Sequence, residues 1–278
     1  MTTGLRNMMP VGYEWATECT GIPYQSIYEG SITQKYAIGC RYDPCDGTAR
    51  VFRYCKAGAT ILRASYAVGN TKSQYEGNTA AANSTAIGER KVTIPATASG
   101  NSEVYSTKNC LQGGLLIQMN TAREIRSYAI QSNTATDGTN IVLTLFDPVT
   151  YAIGGSEWIT VVPNPWSYAA SGQTAESTPQ ENVHNLFVVG VTMCAWTVNY
   201  YYWVQTWGPI FQVCTGGMGT NTGERMAIFN SDGCILIATG LANAAGSCYQ
   251  IAGYVLSDTP GQAGGAGDDS TYFLMIAP

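Results

Sequence analysis

NYYYWVQTWGPIFQV, Asn199 to Val213, holds three tyrosines, two tryptophans and a phenylalanine and no charged residue. Aromatic and β-branched density of this kind favours an extended strand. Read as a strand, it points Tyr200, Tyr202, Val204 and Thr206 one way and Tyr201, Trp203, Gln205 and Trp207 the other. Both faces are bulky and largely apolar, whereas a half-solvated antiparallel strand would carry polar residues on its outer face. The stretch therefore has to be covered on both sides, and the rest of the chain has to supply the cover.

The chain has 278 residues, enough for one large β unit or two smaller ones. Charged residues make up 12%, about half the ~25% usual in soluble domains, and there are 31 glycines. A surface so poor in charge is weakly protected against association, which favours an assembled subunit. The net charge of −5 and the lack of any lysine–arginine cluster exclude nucleic acid as the main partner. No stretch reaches the ~18 apolar residues of a membrane span, and MTTGLRNMMPVGYEW does not read as a signal peptide. The expected setting is soluble and cytoplasmic at synthesis.

Outward from the aromatic strand, the sequence repeats one theme. TARVFRYCKAGATIL (48–62) reads as two strands about a turn, and TDGT (136–139) as a hairpin signal ahead of NIVLTLFDPV. CILIA, YQIAGYVLSD and STYFLMIAP continue the series. More than a dozen such segments recur at roughly 8–12-residue spacing, the pattern of a multi-stranded antiparallel sandwich or barrel, β-tulip or jelly-roll-like. No amphipathic helix of ordinary length interrupts it. Residues 1–46 lack a sustained period, are broken by Pro10, Pro23 and Pro44, and read as an extended N-terminal arm. The all-β domain is then 47–278, with 47–108 and 109–278 as candidate sub-domains.

Chemistry is scarce. Nine cysteines occur without a C-x-x-C pair. Cys40, Cys45 and Cys55, even with Asp43 or Asp46, match no metal-ligand spacing, so no metal and no cofactor is expected. The only histidine, His184, has no nucleophile elbow to serve. Glycine-rich Gly261–Ser270 leads into a strand and not a helix, so it is no phosphate cradle. Carboxylate pairs drawn from Glu124, Asp147, Glu157 and Glu224, with Trp158, Trp166, Trp203 or Trp207 as stacking rings, would suit a glycan-cleaving tailspike. That is the alternative reading, along with a tail-associated receptor-binding protein and a self-assembling filament or surface-layer subunit.

Several segments, in order, resemble virion structural proteins of tailed phages: DGTARVFRYCKAGATIL (46–62), EIRSYAIQSN, IVLTLFDPVTYAI, TVVPNPW, YYYWVQTWGPIFQV, GERMAIFNSDGCILIA, YQIAGYVL and the final YFLMIAP. The resemblance covers residues 46–278 and rests on the order of the motifs. It implies a β-rich capsid decoration (cement) or head-fibre protein on the virion surface. Such a protein binds the major capsid protein, associates with itself as a homotrimer, and has no enzymatic activity; host glycans are a further candidate partner. The expected anchors are Tyr13, Trp15, Tyr24 and Tyr28 on the arm, and Tyr201, Trp203 and Trp207 for contacts between subunits.

Overall fold

The computed structural model describes residues 18–20, 24–61, 64, 67–70, 75–77, 84–96, 107–119, 124–154, 158–171, 187–213, 226–229, 233–238, 250–257 and 269–278. The fold is all-β, with no helix among the described residues and two curled sheets. Every strand pair is antiparallel except β1 (Glu18–Thr20) with β2 (Arg41–Asp43), which run parallel.

The chain separates into two compact units, residues 1–71 with 168–278, and residues 72–167. The boundaries therefore lie at 71/72 and 167/168, not at 108/109, and the second unit is an insertion into the first. Strand pairing is the reason. The strand β3 (Val51–Lys56) pairs with the distant β13 (Tyr201–Val213), tying the early chain to the late chain. The strand β4 (Ala67–Asn70) pairs with β11 (Ala169–Ser171) and with β12 (Val188–Thr192). The chain thus leaves the first unit from β4 and returns on β11, its hydrogen-bonded neighbour.

The first unit holds an eleven-stranded sheet whose longest path runs β1-β2-β3-β13-β17-β16-β14-β15. Here β14 is Met226–Phe229, β15 Ile235–Ile237, β16 Ile251–Ser257 and β17 Asp269–Met275. The 13-residue β13 is the hub: it pairs with β3 over its first half, with β17 over its second, and with β12 at Val204 and Gln205. The second unit holds a six-stranded sheet in the order β5-β10-β7-β8-β9-β6. Its strands are β5 (Tyr75–Gly77), β6 (Lys91–Pro95), β7 (Leu115–Met119), β8 (Ile125–Asn133), β9 (Asn140–Leu145) and β10 (Trp158–Val162). Alternate positions such as Ile94, Leu116, Ile130, Leu143 and Val161 are fully buried, as the period of two requires.

Candidate interaction surface

The aromatic strand does not keep one alternation from end to end. Trp203 lies opposite Tyr54 and Gln205 opposite Phe52, but Trp207 lies opposite Val51, with a register shift between Gln205 and Trp207. The extra residue, Thr206, makes a bulge, and one inserted residue sends every later side chain to the other face. Trp207 therefore faces away from Trp203, contrary to the regular alternation. Gln205, buried, holds the bulge by donating from Nε2 to the carbonyls of Trp207 (3.0 Å), Gly208 (3.3 Å) and Pro209 (2.9 Å). Gly208 sits at φ +92, where a Cβ would come within 2.6 Å of the Ala49 carbonyl oxygen. The chain's own Ala49 backbone makes this close approach.

Before the bulge, both faces are covered internally. Trp203 is fully buried, with ring centroids 4.9 Å from Tyr54, 5.1 Å from Tyr36 and 5.3 Å from Tyr42. Its place among subunit contacts is thereby corrected: an indole closed in by three phenols of its own chain has no face to offer a partner. The cover is the segment 24–42. Its keystone, Gln25, is 1% exposed. Gln25 donates to the carbonyls of Glu29 and Tyr201 (2.7 Å each), accepts from the Tyr54 hydroxyl (2.7 Å), and its own carbonyl accepts from Trp203 Nε1 (3.0 Å). Burial pushes the Tyr54 hydroxyl well above the usual phenol range, so it stays a donor. The part of the arm from residue 24 to 46 is thus folded onto its own sheet, and Tyr36 and Tyr42 belong to the core. On the opposite face, the buried Tyr202 stacks on Trp196, 5.4 Å between centroids.

Tyr24 and Tyr28 project from this anchored segment and are exposed, at 63% and 58%. Tyr201 is half-buried, stacked on Tyr54, with Lys56 Nζ 5.8 Å from its ring centre. Tyr13, Trp15, Glu157, His184, Glu224 and most of Gly261–Ser270 lie outside the described residues. Glu124 and Asp147 are both exposed. Cys40 and Cys55 are buried free thiols, burial pushes the Cys55 thiol up, and Cys45 is exposed and free. Among the described residues no cluster of acidic, histidine or cysteine side chains is arranged to hold a metal.

Beyond the bulge, the sheet of the first unit turns one face to the core and one outward. Ile210, Tyr272, Leu274, Val255 and Ala227 point inward into a cluster with Phe229 and Ile235. The outward residues form cross-strand rows. Met226 lies opposite Tyr254, Tyr254 opposite Phe273, and Phe273 opposite Pro209. Trp207 lies opposite Met275, and Phe211 opposite Thr271. Tyr254 and Phe273 are stacked at 5.2 Å with planes 2° apart, and Trp207 meets Phe273 edge-on at 5.5 Å. Ile251, Phe211, Leu256, Met226, Met275 and Tyr254 are 43–53% exposed. None of these outward positions is acidic or basic. A large aromatic side chain carries roughly 150–250 Å², so the face exposes on the order of 600 Å² of apolar surface, at the upper end for a monomer.

The second unit shows a smaller face of the same kind, in rows Trp158–Met119–Ile125, Thr160–Ile117–Ser127 and Val162–Leu115–Ala129. Trp158 is 54% and Ile125 60% exposed. Sequence reasoning singled out Trp207 but missed Phe211, Tyr254 and Phe273 beside it. The signal was present, since YQIAGYVLS and STYFLM alternate apolar residues on both parities, as the aromatic strand does.

No protein-family model, curated protein or solved structure matches this chain.

Proposed function

We propose that the chain is a structural subunit of a virus particle, a decoration protein that binds the outside of a tailed-phage head and stabilises the closed shell. In this reading it acts by burial and not by catalysis, and its partners are the major capsid protein and copies of itself. One observation supports it above the rest: a folded β unit keeps a wide, largely apolar, aromatic face outward, which is the makings of an interface core. The resemblance of the ordered motifs to those of phage virion proteins points the same way. The exposed Tyr24 and Tyr28, held out by the anchored Gln25, are the second contact region.

The test is co-sedimentation of the purified protein with expanded empty shells of the cognate capsid protein, followed by cryo-electron microscopy. The expected result is saturable binding in regular copy number on the shell exterior. Absence from the shell with attachment at the tail, or cleavage of host polysaccharide, would refute it in favour of a tailspike.

A further inference from the structure

We infer that the apolar outward rows of β13, β17, β16 and β14, from Trp207–Met275 to Phe211–Thr271, are a homotypic interface, and that its occupant is the same face of a second copy of this chain, related by a two-fold axis. The inference deepens the reading of the chain as an assembly subunit by naming one partner and the surface it meets.

Three features carry it. First, in a two-fold interface residue i meets residue j and j meets i, and residues at the axis meet their own copies, so a charge at the centre of the face would meet like charge. The rows through Met226, Tyr254 and Phe273, and the flanking Trp207, Phe211 and Ile251, contain no acidic or basic group. Second, the area suffices. With on the order of 600 Å² per copy, pairing buries about 1,200 Å² in total, the lower bound of a specific stable interface. Third, the geometry is that of a sheet made to stack. Four adjacent strands present side chains on one pleated face, and two such faces pack ~10 Å apart with interleaved side chains. The smaller face of the second unit is a poorer mate, because its middle row carries the hydroxyls of Thr160 and Ser127.

Sedimentation velocity over 1 to 100 µM protein (roughly the range that separates specific from weak association) tests the inference. The expected species has twice the 29.7 kDa of the chain. The double substitution Phe211→Lys with Tyr254→Lys places charge at the centre of the face and is expected to weaken pairing on the order of 100-fold or more. Both side chains are half-exposed, so far-UV circular dichroism should be unchanged. Should the lysines impair folding, Phe211→Ser with Tyr254→Ser reads the same equilibrium without charge. Trp158→Lys, on the second unit, is expected to leave the dimer intact. A monomer at the highest concentration, a species of three copies, a dimer indifferent to the face substitutions, or one dissolved by Trp158→Lys would each overturn the inference. Shell binding is scored separately. A monomer that decorates shells overturns the pairing and leaves the decoration reading standing; a dimer that ignores shells does the reverse.

Discussion

Replacing Gln25 with alanine tests how the N-terminal segment is held. Three side-chain hydrogen bonds disappear, each with a net contribution of about 1 kcal/mol. Their loss is not equally felt. The Tyr201 carbonyl keeps the Ser31 amide at 2.9 Å, and Glu29 is exposed, so water replaces the donor there. The Tyr54 oxygen still accepts from the Lys35 amide at 3.1 Å. Its proton, however, has lost its acceptor in a buried site, and an unsatisfied buried donor costs ~1–3 kcal/mol. The expected loss is therefore about 3 kcal/mol. Urea unfolding of the first unit, followed by tryptophan fluorescence at fixed protein concentration, should show the midpoint fall with an unchanged slope. Because a chain of two compact units need not unfold in one step, the transition to score is the one that exposes the buried Trp203. A double-mutant cycle with Tyr54→Phe isolates the shared bond, with coupling of about 1 kcal/mol expected. A loss under about 1 kcal/mol, or no coupling, would mean that the segment is not pinned through this side chain, and the correction to the extended arm would fall with it.

At Gly253 (φ +150) an added Cβ would lie 1.8 Å from the Phe273 carbonyl oxygen, so Gly253→Ala should cost about 4 kcal/mol or more; Gly138→Ala (φ +100, open space) should cost only ~1–2, by thermal melts. Trp203→Ala removes the hub of the ring cluster and should lower stability by ~3–5 kcal/mol in urea titrations, whereas Trp207→Ala should cost much less while weakening self-association. Hydrogen bonds from the Thr48 hydroxyl and amide, then from Arg50, hold Asp46 at about 2, below its ordinary value near 3.8. A carboxyl depressed in the folded state stabilises above its unfolded pKa, and that contribution fades as pH falls through the folded value. The melting difference between the native chain and Asp46→Asn should thus close between pH ~4 and ~2.

The all-β class was legible because it rests on local signals: alternation, β-branched and aromatic enrichment, and turn residues such as Asp137-Gly138. What escaped is non-local. Whether Val51–Lys56 joins the strand at 201 or one nearer in sequence is decided by packing across nearly the whole chain, and no residue type announces it. The insertion of residues 72–167 was hidden for the same reason. Trp203 and Trp207 were assigned to one face because strict alternation has no means of seeing Thr206 bulge out. The cause of the bulge, a buried glutamine turned onto three carbonyls of its own strand, looks in sequence like any polar residue in an apolar run. Tyr24 and Tyr28 are exposed, but the residue that holds them out, Gln25, carries no compositional mark.

The bulge also links fold to surface. Without it, Trp207 would share the covered face of Trp203, and the second half of β13 would present Ile210 and Gln212 outward instead of Pro209 and Phe211. Gln212 would then lose the Gly233 carbonyl it now donates to at 2.7 Å and the Tyr272 hydroxyl it accepts from, leaving an amide unsatisfied in the core or drawing it into water. One inserted residue thus lets a single strand serve two purposes. Its first half is an internal girder, closed on both faces by the chain's own aromatics, and its second half is one wall of an open apolar face. The ion pairs among the described residues, Arg41–Asp43 and Arg50–Asp46, lie on the opposite side of the hub from β17, at β2 and the turn leading into β3. With these ion pairs at that end and the outward-facing rings of Trp207, Phe211, Tyr254 and Phe273 at the other, the sheet acquires a direction: one edge suited to water and one face suited to a neighbour. A substitution that straightens the strand, such as Gln205→Val, should therefore disturb stability and association together, whereas Phe211→Lys should disturb association alone.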